Sequence, residues 1–182
     1  MALTRINLSS SAVTGTLPIA NGGTAATTLA GAGLTSIAFY GRQGSAQTLS
    51  RGSETKLTGF TSEEIDTDTA FDGTTFTVPS GGAGKYLIGA LLNADFESAG
   101  QDGEQVTIRI YKNGSEVLGT RDINSGSGRD MQLHGSYASC ILDLSVGNTV
   151  EAYAILSDAS TSGTLSTRAG SSSFFGHKLI GA

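Results

Sequence analysis

Two histidines, His134 and His177, a single cysteine, Cys140, and many serines are the side chains here with nucleophilic or metal-binding potential. A Ser–His–Asp relay can be drawn from either histidine, Asp143 and one of the serines. No Gly-x-Ser-x-Gly turn frames a nucleophile, however, and so many serines supply such a set by chance. The histidines and the cysteine are too far apart in sequence for a structural zinc site, which takes four clustered ligands. Cys140 alternates with Ala138 and Leu142 and reads as a small core residue. Gly81-Gly-Ala-Gly-Lys85 ends like a phosphate-binding loop but lacks its first glycine and the following Ser or Thr. It also opens an apparent strand, so no helix N-terminus is there to receive a phosphate. The acidic run from Glu63 to Asp72 holds Asp66, Asp68 and Asp72, oxygen donors of the kind calcium selects. It lacks the glycine and closing glutamate of an EF-hand, and a solvated acidic loop between strands is the simpler reading. Asn113-Gly-Ser fits a glycosylation sequon, yet the same residues form a turn. The expectation is a protein that is not an enzyme and holds neither cofactor nor metal.

The elements that position these groups are strands. Of 182 residues, 26 are Gly and only 2 are Pro, and charged residues make up 15%. That balance suits short strands joined by Gly- and Ser-rich turns, and it does not suit long helices. Strands are expected over Ser36–Tyr40, Gln47–Ser50, Glu54–Phe60, Gly84–Ala94, Glu104–Lys112, Leu133–Leu144, Thr149–Leu156, Gly163–Arg168 and Ser172–Ile180. Gly84–Ala94 is apolar on both faces, as a strand between two packed layers would be. Glu104–Lys112 alternates, with Val106, Ile108 and Ile110 inward and Thr107, Arg109 and Tyr111 outward. Asn113-Gly114 then supplies a hairpin turn, because both residue types tolerate positive φ. The predicted fold is an all-β sandwich or jelly roll over residues 36–182.

Residues 1–35 read as an extended arm. They show neither strand nor helix periodicity, and Pro18 and Asn21-Gly22-Gly23 interrupt any regular element. Leu8, Val13, Leu17, Pro18 and Ile19 are spaced too widely for a core and are expected to anchor the arm in another surface. Charge divides along the same line. Residues 1–53 carry three arginines and no acid, whereas the remainder carries all 16 acids, and the chain totals -5. That balance argues against nucleic acid as the main partner. No stretch approaches the roughly 18 apolar residues of a membrane span, so no membrane insertion is expected. The first residues also lack the basic and apolar regions of a signal peptide.

Two resemblances extend this reading. Val13-Thr-Gly-Thr-Leu-Pro-Ile-Ala-Asn-Gly-Gly-Thr-Ala-Ala-Thr-Thr28 resembles a segment recurrent in tail fibres and other surface proteins of tailed bacteriophages, with Ala25 where Gly is usual. Residues 36–182 resemble the trimeric jelly roll of the complement globular-head and tumour-necrosis-factor superfamily. The likeness is carried by Thr55-Lys-Leu, Asp66–Asp72, Thr75-Phe-Thr-Val-Pro, Gly84-Lys-Tyr-Leu-Ile, Ile110-Tyr-Lys-Asn-Gly, Leu142–Val150 and Ser173-Phe-Phe-Gly-His-Lys-Leu-Ile. This resemblance implies a homotrimer, with Tyr153, Phe174 and Phe175 as candidates for the trimer interface. The expected function is a virion structural protein. It would be a capsid decoration or cement protein bound to the major capsid protein or another virion protein. The alternative is a short tail fibre or fibre tip that reads a host cell-surface glycan through a loop such as Asn124–Asp130. A carbohydrate-binding or signalling module outside any virion is the third reading.

Overall fold

The protein was analysed as a computed structural model, which describes residues 36–96, 103–123, 133–158 and 164–179. The arm, with Leu8, Val13, Leu17, Pro18 and Ile19, lies outside the described residues, as does Asn124–Asp130. The described chain forms twelve strands. They are β1 (Ala38–Arg42), β2 (Thr48–Ser50), β3 (Thr55–Lys56), β4 (Ser62–Asp66), β5 (Thr75–Thr77), β6 (Gly84–Asp95), β7 (Gly103–Lys112), β8 (Ser115–Ile123), β9 (Leu133–Leu144), β10 (Thr149–Asp158), β11 (Thr164–Thr167) and β12 (Ser173–Lys178).

The strands make two antiparallel sheets. In the larger, β6 pairs with β9 along its full length on one side, and with β12 and β11 on the other. β12 continues the sheet to β1 and β4, and β11 continues it to β2. The smaller sheet runs β8-β7-β10, with β3 and β5 both pairing to β10. Asn113 (φ 50°) and Gly114 (φ 75°) turn β7 into β8, as the two-residue hairpin chemistry predicts.

Alternation decides what fills the space between the sheets. Val106, Ile108 and Ile110 from β7 and Val150, Ala152, Ala154 and Leu156 from β10 point inward and are fully buried. They meet Tyr86, Ile88, Ala90 and Leu92 from β6. At one end an aromatic cluster closes the core. Phe39 lies 4.8 Å from Phe71, 4.5 Å from Phe76 and 5.0 Å from Phe174, ring centre to ring centre. The sandwich is also held at its β8–β9 edge. Thr120 Oγ1 donates to the Tyr137 carbonyl at 2.8 Å, Lys112 Nζ to the Asp143 carbonyl at 2.7 Å, and His134 Nε2 lies 2.9 Å from Asp122 Oδ2.

Tyr86 is buried with its hydroxyl donating to the Gly82 carbonyl at 2.6 Å. Burial, with a smaller contribution from the Asp68 carboxylate, pushes the phenol up to about 12. A raised acid is one whose neutral form the fold prefers. Its contribution is therefore complete below the unfolded value near 10 and is lost as pH rises from 10 to about 12. Integrated over that window the loss is about 2–3 kcal/mol. Urea unfolding at a series of alkaline pH values should show Tyr86→Phe less stable than the parent at pH 8. The variant should also have a visibly shallower fall above pH 10. Parallel curves for the two proteins would refute this assignment.

Candidate functional site

The acidic run resolves into two structures. Glu63–Asp66 belongs to β4, an edge strand paired to β1, and so is not loop as the charge pattern suggested. Beyond it the carboxylates hold their own turn. Asp66 accepts from the amides of Ala70 (3.0 Å) and Phe71 (3.2 Å), and Asp72 Oδ1 accepts from those of Thr74 (2.9 Å) and Thr75 (2.6 Å). Thr67 Oγ1 donates to Asp68 at 3.1 Å. Among the described residues no three His, Cys, Asp or Glu side chains are grouped to hold a metal ion.

The other candidates for chemistry are scattered. His134 is buried against Asp122, whereas Asp143 sits exposed at the far end of the same strand. His177 is exposed on β12. Burial raises the Cys140 thiol, and its side chain packs on the core. Gly81 and Gly82 spend their carbonyls on Lys178 and Tyr86, and Lys85 is exposed at the start of β6.

What the fold does bring together is an apolar outer face on the larger sheet. Strand register places Ile65, Tyr40, Phe175, Gly89 and Ser139 in one row across β4, β1, β12, β6 and β9. The adjacent rows set Ala38, His177, Leu87 and Ile141 on one side, and Arg42, Ser173, Leu91 and Tyr137 on the other. Gly89 is required at its place, because a Cβ there would lie 2.3 Å from the Phe175 ring, which rests across it. The margin formed by β1, β4 and β12 is hollowed into a groove of about 350 Å³, lined by Ala38, Tyr40, Ile65, Phe175 and His177 among others. The β9 margin carries a ridge, with Leu133 48%, Tyr137 49% and Ile141 61% exposed. Side chains of this size on the outside of a strand leave apolar surface in water.

This geometry redistributes the three interface candidates. Phe175 lies at the centre of the apolar face. Phe174, its neighbour, points the other way and is fully buried among Phe39, Phe60 and Phe71. Enclosed in its own protomer, it has no surface to offer a partner. Tyr153 lies on the outside of the smaller sheet, on the opposite face of the sandwich from Phe175. It packs against Tyr111, ring centres 4.3 Å apart and planes tilted by 38°, within a charged network. There Arg109 Nη1 bridges Glu54 (2.8 Å) and Glu116 (3.1 Å), Tyr111 donates to Glu54 (2.8 Å), and Lys56 pairs with Glu151. Ile65 and Ile141 were not foreseen. Ile141 had a signal, since it falls between Cys140 and Leu142 and an inward alternation of those two turns it outward.

Neither a family model nor a curated protein matches the sequence. Solved structures do. The globular domain of zebrafish complement 1qA protein aligns with a TM-score of 0.55 at 17% identity, covering 79% of this chain and 98% of that one. The fold is a complement 1q/TNF-type jelly roll. The Eiger TNF of S. frugiperda (TM-score 0.54, 13% identity, covering 81% and 94%) shares this jelly roll. So does murine APRIL (0.56, 8% identity, covering 80% and 100%). The described residues therefore form the jelly roll that the sequence resemblance implied, with identities that speak to fold alone.

Proposed function

We propose that this chain is a homotrimeric structural protein of a tailed-phage particle, a capsid decoration or cement protein that builds its trimer through the outer face of the larger sheet. The observation that carries the trimer is the pairing of groove and ridge on opposite margins of that face. A closed ring with three-fold symmetry needs two different patches per protomer, each facing its complement on the next copy. The β1–β4–β12 groove and the β9 ridge supply such a pair, and both are apolar as a permanent interface demands. The virion assignment rests on Val13–Thr28, whose sequence resembles phage surface proteins. In this reading the arm, through Leu8, Val13, Leu17, Pro18 and Ile19, grips the shell while the knob projects. Whatever binds only the assembled shell stabilises it by mass action, and three linked arms add avidity. No catalytic role is part of this reading.

A short tail fibre is the second reading. The same arm segment favours it, because fibres are where that segment is most familiar. Antibodies against residues 54–182, applied to intact particles and viewed by electron microscopy, separate the two. Regular label over the head is the expected result. Label confined to the tail would replace the decoration reading with the fibre one, and unlabelled particles would remove both.

A further inference from the structure

The outside of the smaller sheet carries a second surface, independent of the assembly face. Register sets Lys56, Tyr153, Arg109 and Gly119 in one row and Thr75, Glu151, Tyr111 and Glu116 in the next. Tyr111 and Tyr153 are half-buried, with ring centres 4.3 Å apart and planes tilted by 38°, so they pack against each other as one aromatic ledge on the sheet's outer face. Around the ledge the charged groups already hold one another in place. Arg109 is held between Glu54 and Glu116, with its stem lying over Gly119, and Lys56 is held by Glu151 and by Thr75 Oγ1 at 2.8 Å. Ordering these long side chains in advance removes much of the entropy that a ligand would otherwise have to overcome.

From this arrangement we infer that the Tyr111–Tyr153 ledge is a binding site for a neutral pyranose. A sugar ring has one apolar C–H face, which fits an aromatic surface, and a rim of hydroxyls that both donate and accept. Tyrosine suits the first need, as a flat amphipathic ring with few rotamers to lose. Fixed carboxylates and a guanidinium suit the second, since hydrogen bonds to charged groups are the strong ones. The charge balance selects among sugars. The network sets two cations, Lys56 and Arg109, against three carboxylates, Glu54, Glu116 and Glu151, and each cation is already paired. A further carboxylate, as on a uronic acid, would meet uncompensated negative charge, whereas an uncharged ring would not. Because this ledge faces away from Phe175, it stays open whether or not the chain trimerises through the larger sheet.

Methyl α-glucopyranoside, methyl α-mannopyranoside, methyl β-galactopyranoside and methyl β-glucuronide titrated into the full chain, followed by NMR, test this directly. At least one of the three neutral glycosides should shift the Tyr111 and Tyr153 ring resonances, with a Kd on the order of 1–10 mM, and the glucuronide should bind about tenfold more weakly or not at all. Tyr153→Ala should weaken the neutral sugar about tenfold, and Tyr153→Phe, which keeps the ring, should stay within about twofold of the parent. Both rings lie on the outer face of the sheet and outside the core, so both variants should keep the parent's dispersed spectrum. The inference is overturned if no neutral glycoside moves the two tyrosines. Equal or tighter binding of the glucuronide, or unchanged affinity in a folded Tyr153→Ala, overturns it as well.

Discussion

Phe175→Asp should convert the proposed trimer into a monomer that remains folded. Phe175 lies at the middle of the Ile65–Tyr40–Phe175–Gly89 row and lines the groove proposed to receive the neighbouring copy. In the assembled ring an aspartate there would be a buried, unpaired charge, the costliest kind of interface substitution. In the isolated protomer the same position is half-buried on the outer face of the sheet, so the charge keeps access to water and costs far less. Sedimentation of the variant should show one chain's mass with an unchanged far-ultraviolet spectrum. Ile141→Asp, on the β9 ridge, should do the same from the other half of the contact. The site is 61% exposed in the protomer, so the substitution leaves the core intact. Charged variants of both margins that stay trimeric would show that this face is not the interface. Variants that unfold would show that the face belongs to the protomer's own stability.

The second large effect lies inside the sandwich. Phe39 stacks on Phe71 and Phe76 and meets Phe174 edge-on, and it is 2% exposed. It joins β1 and β12 of the larger sheet to Phe76 on β5 of the smaller. Phe39→Ala removes a ring from the junction of the two sheets and leaves a cavity that the surrounding rings of Phe71, Phe76 and Phe174 cannot close. The expected loss is about 3–5 kcal/mol, a large share of a domain's stability. Denaturant midpoints compared at equal protein concentration would read it, and a loss below about 1 kcal/mol would show that the aromatic cluster is loosely packed.

Different parts of this architecture were legible to different degrees, for identifiable reasons. β7 and its turn could be read residue by residue, because Val106, Ile108 and Ile110 alternate with polar neighbours and Asn113-Gly114 follows. β10 was equally readable, and its alternation through Ala152 and Ala154 already turns Tyr153 away from the core. β4 was missed because an edge strand protects itself with charge. Glu63, Glu64 and Asp66 give it the composition of a loop, and the Arg42–Glu64 pair at 2.6 Å shows the charge facing outward. β3 falls inside the strand expected over Glu54–Phe60 but is only two residues long, Thr55–Lys56, and so short a segment carries too little pattern to bound. Phe174 and Phe175 pose the sharpest case. Adjacent residues of a strand face opposite ways, so one of the two had to enter the core. Only the register against β6, where Gly89 makes room for the outer ring, tells which. The apolar face as a whole is a property of that register. Its members come from five strands, and no stretch of sequence contains more than a few of them.

Sedimentation equilibrium of the full chain at micromolar concentration tests the central claim most directly. A trimer gives a single species of three times the 18.5 kDa of one chain, unchanged on dilution through the nanomolar range. A single species at 18.5 kDa across the same range would contradict it, and would leave the apolar face of the larger sheet to a partner other than a second copy of this chain.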